Sequence, residues 1–131
     1  VMPWHDYIFI GTYTAADYPD YITARTNKAA VDYITEQFPN KTIKAFELRK
    51  SNTQAMQNAL HLDCCFQPLG KGKAILHRNG FLVEEEYQWL VDFFGKKNIF
   101  EITEEVTVDS QPSHFVMSEN LVFSYNRNII L

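Results

Sequence analysis

The sequence is poor in cysteine and lacks any pattern of cysteines that could cross-link distant segments by disulfide bonds. Its 131 residues contain only two cysteines, Cys64 and Cys65, and these are adjacent. Neighbouring cysteines cannot link distant parts of a chain, so no disulfide framework is expected and a cytoplasmic location is predicted. Neither cysteine has the spacing of a zinc site, and the four histidines form no ligand cluster, so no metal or other cofactor is expected.

Clustered basic residues and long apolar runs are also missing. The formal net charge is −4, and nucleic acids or anionic membranes are bound by clustered Lys and Arg, so neither partner is expected. No apolar run approaches the length that spans a bilayer. The length and the 15% aromatic content are instead typical of a single globular domain, residues 1–131, with a well-filled interior.

Apolar periodicity predicts alternating strands and helices. Helices are predicted at 28–38, where Asn27 can cap the first turn, and at 84–94, which Gly95 ends. The predicted strands are 7–10, 43–48, 60–66, 73–77 and 98–102, followed by a hairpin over 114–125.

This order of elements repeats. One complete unit of strand, strand, helix and strand runs from Leu60 to Ile102. The unit before it lacks its first strand, and the hairpin after it lacks a helix and a last strand. The sequence therefore predicts an α/β fold of repeated units, and an incomplete set would leave faces that favour a homo-oligomer.

Two ionisable residues interrupt the apolar stretch from Asn58 to Phe66. On the strand predicted there, His61 and Asp63 would share one face, with a separation of roughly 6–7 Å. Burying an imidazole and a carboxylate is costly unless something pairs with them. A buried structural His–Asp pair and a functional site are both open at this point.

Two motifs resemble the guanidino-group-modifying enzymes, which include arginine deiminases, dimethylarginine dimethylaminohydrolases and amidinotransferases. His61-Leu62-Asp63, followed by an apolar pair and Phe66, resembles their catalytic-histidine strand. Arg25-Thr26-Asn27 resembles their strand-to-helix turn, and the order and spacing of the two motifs also fit. The resemblance covers residues 7–100 and implies a pentein-like fold, in which five such units close an α/β propeller. This chain would then be an incomplete propeller.

The resemblance also implies roles for individual residues. In these enzymes a cysteine attacks the guanidinium carbon, while a histidine protonates the leaving amine and then activates the incoming nucleophile. His61 would be this catalytic acid and base, and Asp63 would be the catalytic carboxylate that binds the guanidinium of the substrate. Arg25 would bind the carboxylate of a substrate such as arginine or a derivative.

The nucleophile is not expected within this chain. The family's acidic Gly-Gly segment would lie before Val1 and its cysteine beyond Leu131, so the chain alone is expected to be inactive. On the predicted strand, Cys64 points away from His61 and Cys65 lies about 13 Å along it. Both are therefore expected to be buried packing thiols.

Three functions stay open. The first is part of an enzyme, either hydrolase or amidinotransferase, acting on a guanidino group through a covalent cysteine intermediate. The second is a non-catalytic module that binds a ligand or a protein on the same scaffold. The third is a structural domain with a buried His–Asp pair.

Overall fold

Two three-stranded sheets and two helices make up the described part of the molecule, residues 1–102 of a computed structural model. The first sheet contains β1 (Met2–Trp4), β2 (Tyr7–Thr12) and β3 (Thr42–Glu47). The second contains β4 (Phe66–Leu69), β5 (Lys73–Leu76) and β6 (Ile99–Glu101). The helices are α1 (Lys28–Gln37) and α2 (Glu84–Phe94). The predicted α/β class is confirmed. Neither helix in residues 1–102 has the length and apolar character to cross a membrane.

The two sheets have the same topology. In the first, β1 and β2 are antiparallel and β2 and β3 are parallel. In the second, β4 and β5 are antiparallel and β5 and β6 are parallel. Each helix lies in the crossover connection that two parallel strands require. The repeat of strand, strand, helix and strand is thus present twice, and we name residues 2–47 unit 1 and residues 66–101 unit 2.

Two expectations about these units are wrong. Unit 1 does not lack its first strand, because Met2–Trp4 pairs with β2. Pro3 is tolerated there because β1 lies at the edge of the sheet. The stretch 60–66 is not a strand, because Leu62–Cys64 form a single turn of 3-10 helix and β4 begins only at Phe66. The hairpin predicted over 114–125 lies outside the described residues.

The two helices begin where their sequences predict. The Asn27 side chain accepts a hydrogen bond from the N–H of Ala30 at 3.0 Å and so caps α1. Three glutamates occupy the first turn of α2, where negative charge interacts favourably with the helix dipole. Gly95, with φ of 90°, ends α2, because the left-handed region has no steric cost for glycine.

Aromatic rings fill the space between the two sheets. The ring of Phe9 on β2 lies 5.3 Å from that of Phe66 on β4 and 5.8 Å from that of Phe46 on β3. All three rings are fully buried. From α2, Trp89 lies 6.1 Å from Phe46 and Phe94 lies 5.8 Å from Phe66, in the tilted and edge-on arrangements that aromatic pairs prefer. Units 1 and 2 therefore share one hydrophobic core.

Backbone hydrogen bonds also join the units just after β3. Leu48 forms an antiparallel bridge with Phe81, and the N–H of Arg49 donates to the carbonyl of Gly80 at 2.8 Å. Gly80 lies directly against Cys65: a Cβ atom at position 80 would lie 2.8 Å from the Cys65 sulfur. This close approach leaves no room for a side chain.

We expect Gly80→Ala to lower the free energy of unfolding by about 1–3 kcal/mol, because the added methyl group overpacks the Cys65 contact. Urea unfolding monitored by tryptophan fluorescence measures the change. Gly70→Ala is the matched control, since a Cβ at that position meets nothing within 4 Å. Equal stability of the two variants would show that the chain at Gly80 can move away from Cys65 at little energetic cost.

The carboxylate of Glu86 connects α2 to the end of β3. It accepts a hydrogen bond from the backbone N–H of Glu47, with oxygen distances of 2.9 and 3.3 Å. Burial raises the pKa of Glu86, and the nearby Glu47 carboxylate also raises it, while the bond from the Glu47 N–H acts in the opposite direction. Folding therefore shifts the protonation equilibrium of Glu86 towards the neutral form.

Because the pKa of Glu86 is raised on folding, its contribution to stability is complete below the ordinary value of 4.5 and is lost as the pH rises through the folded pKa. Glu86→Gln keeps a neutral acceptor for the Glu47 N–H. We expect this variant to melt at a higher temperature than the parent at pH 7, with a gain below about 1 kcal/mol because the group is half solvent-exposed. The gain should disappear at pH 4, and Glu36→Gln, at an exposed position of α1, is the control for removing one charge. A gain that persists at low pH would contradict this explanation.

Candidate active site

A small cavity lies where the carboxyl end of the unit 1 sheet meets the segment that leads into unit 2. Its volume is about 40 Å³, enough for a few water molecules or one polar group of a ligand. The ends of β2 and β3 contribute Gly11, Thr12 and Leu48 to its wall. Its ionisable side chains are Arg25, Lys50 and His61. Arg25 and His61, which two different sequence motifs predicted as site residues, therefore line one cavity.

His61 stands immediately before the 3-10 turn, and its side chain is exposed. Along this turn Leu62 and Cys64 are buried, whereas His61 and Asp63 face solvent. The interpretation of a buried structural His–Asp pair is therefore wrong. Asp63 is not among the residues that line the cavity, and its Oδ1 lies 4.0 Å from the sulfur of Cys64.

Arg25 lies in the loop between β2 and α1, which agrees with the predicted strand-to-helix turn. Its side chain is exposed, and Nη1 donates to the carbonyl of Ile22 at 2.9 Å. The carbonyl of Thr26 accepts two hydrogen bonds, from the hydroxyl of Thr12 at 2.8 Å and the N–H of Tyr13 at 2.9 Å. These bonds attach the loop to the end of β2 and so fix the backbone next to Arg25.

Lys50 is a cavity residue that the sequence analysis missed. Its Nζ donates to three backbone carbonyls, those of Thr23 at 3.1 Å, Ala59 at 2.6 Å and Leu60 at 3.2 Å. Burial lowers the pKa of Lys50, and the charge of Arg25 also lowers it, while Cys64 and Cys65 raise it. No motif marks this lysine, because its partners are main-chain atoms that any residue could supply.

Two asparagines hold the same loops together. The Oδ1 of Asn58 accepts from the hydroxyl of Thr23 at 2.7 Å and from the N–H of Ser51 at 3.3 Å. The Asn52 amide donates to the carbonyl of Asp20 at 2.7 Å and accepts from the N–H of Ile22 at 3.0 Å. The polar segment 49–58 therefore binds the Arg25 loop to the segment that precedes His61.

Both cysteines are buried, as predicted, although the strand used to derive that prediction is absent. Cys64 is 3% exposed and Cys65 is 0% exposed. The Cys65 sulfur donates to the carbonyl of Leu62 at 3.4 Å. Neither thiol lines the cavity. Within residues 1–102, no group of His, Cys, Asp and Glu side chains could hold a metal ion.

Comparison with known proteins identifies the fold. No protein family and no curated protein matches the chain by sequence. Two solved structures of the N-terminal domain of ArgZ match it with TM-scores of 0.53 and 0.54 at 14% sequence identity. One is described as bound to product, from an arginine dihydrolase of the ornithine-ammonia cycle in cyanobacteria. The other is a variant covalently bound to a reaction intermediate.

In both comparisons the match covers 74% of this chain but only 29% of the ArgZ chain. At this identity the likeness establishes a shared fold with the ArgZ N-terminal domain and nothing beyond it. This fold agrees with the one implied by the resemblance to guanidino-group-modifying enzymes.

The exposure of His61 can be tested by chemical modification. We expect diethyl pyrocarbonate to modify His61 at least about tenfold faster than His77, which is 3% exposed and reacts only after local opening. Mass spectrometry of peptides at successive times measures both rates in the same sample, and exposed His5 is the internal reference. Equal rates at His61 and His77 would contradict the position of His61 in an open cavity.

Proposed function

We propose that this chain forms part of an enzyme that modifies the guanidino group of arginine or a similar substrate through a covalent cysteine intermediate. The observation that carries this proposal is the single cavity lined by both Arg25 and His61. The fold of an arginine dihydrolase domain supports it, as do the product and intermediate held by the matching structures. Hydrolysis and amidino transfer are both compatible with these residues.

The proposed chemistry divides the roles among three side chains. His61 protonates the leaving amine and then activates the nucleophile that resolves the intermediate, and its solvent-exposed position beside the cavity supports this role. Arg25 binds the substrate carboxylate, for which the paired donors of a guanidinium are well matched. Asp63 is the carboxylate proposed to orient the substrate guanidinium; it is exposed two residues after His61 and does not itself line the cavity.

The nucleophile in this proposal comes from polypeptide outside residues 1–131. The chain's only cysteines are buried and do not line the cavity, and a nucleophile must come within about 3 Å of its base. The same observation favours a second candidate, a non-catalytic module that binds an arginine-like ligand. The two candidates predict the same binding and differ only in turnover.

The proposed architecture is a partial α/β propeller in a single domain. The identical strand order of units 1 and 2 supports adjacent blades, and the aromatic core that they share supports one domain. Fivefold closure and association into a homo-oligomer remain predictions.

Calorimetric titration with arginine tests the binding site. We expect the chain to bind arginine more tightly than agmatine, which lacks the carboxylate. Arg25→Ala should weaken arginine binding at least about tenfold, because a hydrogen bond to a charged group contributes about 1.5–3 kcal/mol. Lys28→Ala removes an equal charge on the exposed surface of α1 and is the control. Equal affinity for arginine and agmatine would contradict the role of Arg25.

Turnover separates the two candidates. Ureido product should be absent when the 131-residue chain is incubated with arginine, methylated arginines or agmatine. A longer polypeptide that includes the downstream sequence should form product and lose it on His61→Ala. Product from the 131-residue chain would show that Cys64 or Cys65 reaches the substrate. Binding of arginine by the longer polypeptide without ureido product, and without amidino transfer when an acceptor amine is supplied, would favour the module.

A further inference from the structure

Lys50 lines the candidate substrate cavity, but its ammonium group is bonded to backbone carbonyls of the protein itself. Its three ammonium protons match the three carbonyl oxygens that surround it, those of Thr23, Ala59 and Leu60. A lysine whose donors are all engaged with the main chain has none left for a ligand. Its role in the cavity is therefore different from that of Arg25.

The three carbonyls belong to the two segments that carry the candidate site. Thr23 lies two residues before Arg25, in the loop between β2 and α1. Ala59 and Leu60 directly precede His61. Bonds between a charged donor and carbonyls are stronger than neutral ones, and a partly buried ammonium is held to its acceptors by the cost of leaving them unpaired. One side chain thus connects the backbone beside Arg25 to the backbone beside His61.

The asparagines support this connection without replacing it. Asn52 bonds to Asp20 and Ile22, which lie farther from Arg25 along the chain than Thr23 does. Asn58 bonds to the hydroxyl of Thr23, the same residue whose carbonyl accepts from Lys50. In the described part of the chain, Lys50 is the side chain that donates to Ala59 and Leu60 together with Thr23. Lys50 and Asn58 therefore connect the two segments together, and Lys50 supplies the bonds that lie nearest to His61 along the chain.

We propose that Lys50 is a positioning residue that fixes the Arg25 loop relative to His61. The carboxylate of one substrate can then reach Arg25 while its guanidino group lies at His61. The inference rests on the proposed function for its biological meaning, but the coupling of the two loops is a property of the chain alone. Lys50 acts through main-chain carbonyls and does not touch the substrate.

Amide hydrogen exchange followed by NMR tests the coupling. The N–H of Ala24 donates to the carbonyl of Tyr21, and the N–H of Ala59 donates to the carbonyl of Arg49, so each amide reports on one of the two segments. In Lys50→Met, which keeps the chain length and removes the donors, we expect both amides to exchange at least about tenfold faster. The amide of Ile75 on β5 should be unchanged.

Two further variants separate positioning from general destabilisation. Lys50→Arg keeps the charge and several donors, so it should restore slow exchange at both amides. Lys41→Met removes another bond from an ammonium to a carbonyl, at 2.7 Å to His5, at the opposite end of the unit 1 sheet. It should leave Ala24 and Ala59 unaffected. Faster exchange at only one of the two amides, or no rescue by Lys50→Arg, would overturn the proposal.

Arginine affinity measured on the same samples links the coupling to function. Lys50→Met should weaken arginine binding about tenfold, and Lys50→Arg should restore most of it. If the parent chain does not bind arginine, the proposed function fails, while the exchange rates still decide whether Lys50 couples the loops. If the loops uncouple and arginine affinity stays the same, Lys50 is not a positioning residue for this ligand.

Discussion

The contact between the rings of Phe9, Phe46 and Phe66 is the constraint on which the rest of the structure depends. It packs β2 and β3 of unit 1 against β4 of unit 2, and α2 closes it with Trp89 and Phe94. Burial of a large aromatic side chain stabilises a fold by roughly 1.5–3 kcal/mol. The candidate active site lies at the junction that this packing creates, because its wall combines residues from the end of the unit 1 sheet with residues just before unit 2.

Much of this fold could be predicted from the sequence, because strong local signals fixed the helices. The Asn27 cap, the acidic first turn of α2 and Gly95 set helix bounds that agree with the structure to within one residue. The strand β1 was missed because three residues containing a proline carry almost no periodicity. Only its pairing with β2 makes Met2–Trp4 a strand.

The segment at His61 shows how two predicted residues can line one cavity although the predicted element is wrong. Buried and exposed residues alternate from His61 to Cys64, which is the pattern of a strand, yet the backbone forms a 3-10 turn. Alternation over four residues cannot distinguish the two. The motif match identified His61 and Arg25, whereas Lys50 was missed because only tertiary structure determines which carbonyls it meets.

The repeated topology has a consequence for the order of folding. Each sheet takes its strands from one continuous stretch, Met2–Glu47 or Phe66–Glu101, so each can close through local loops at small entropic cost. The wall of the cavity, by contrast, extends beyond unit 1 to Leu60, His61 and Leu62. A nascent chain that has completed unit 1 alone would therefore already possess a sheet but no site.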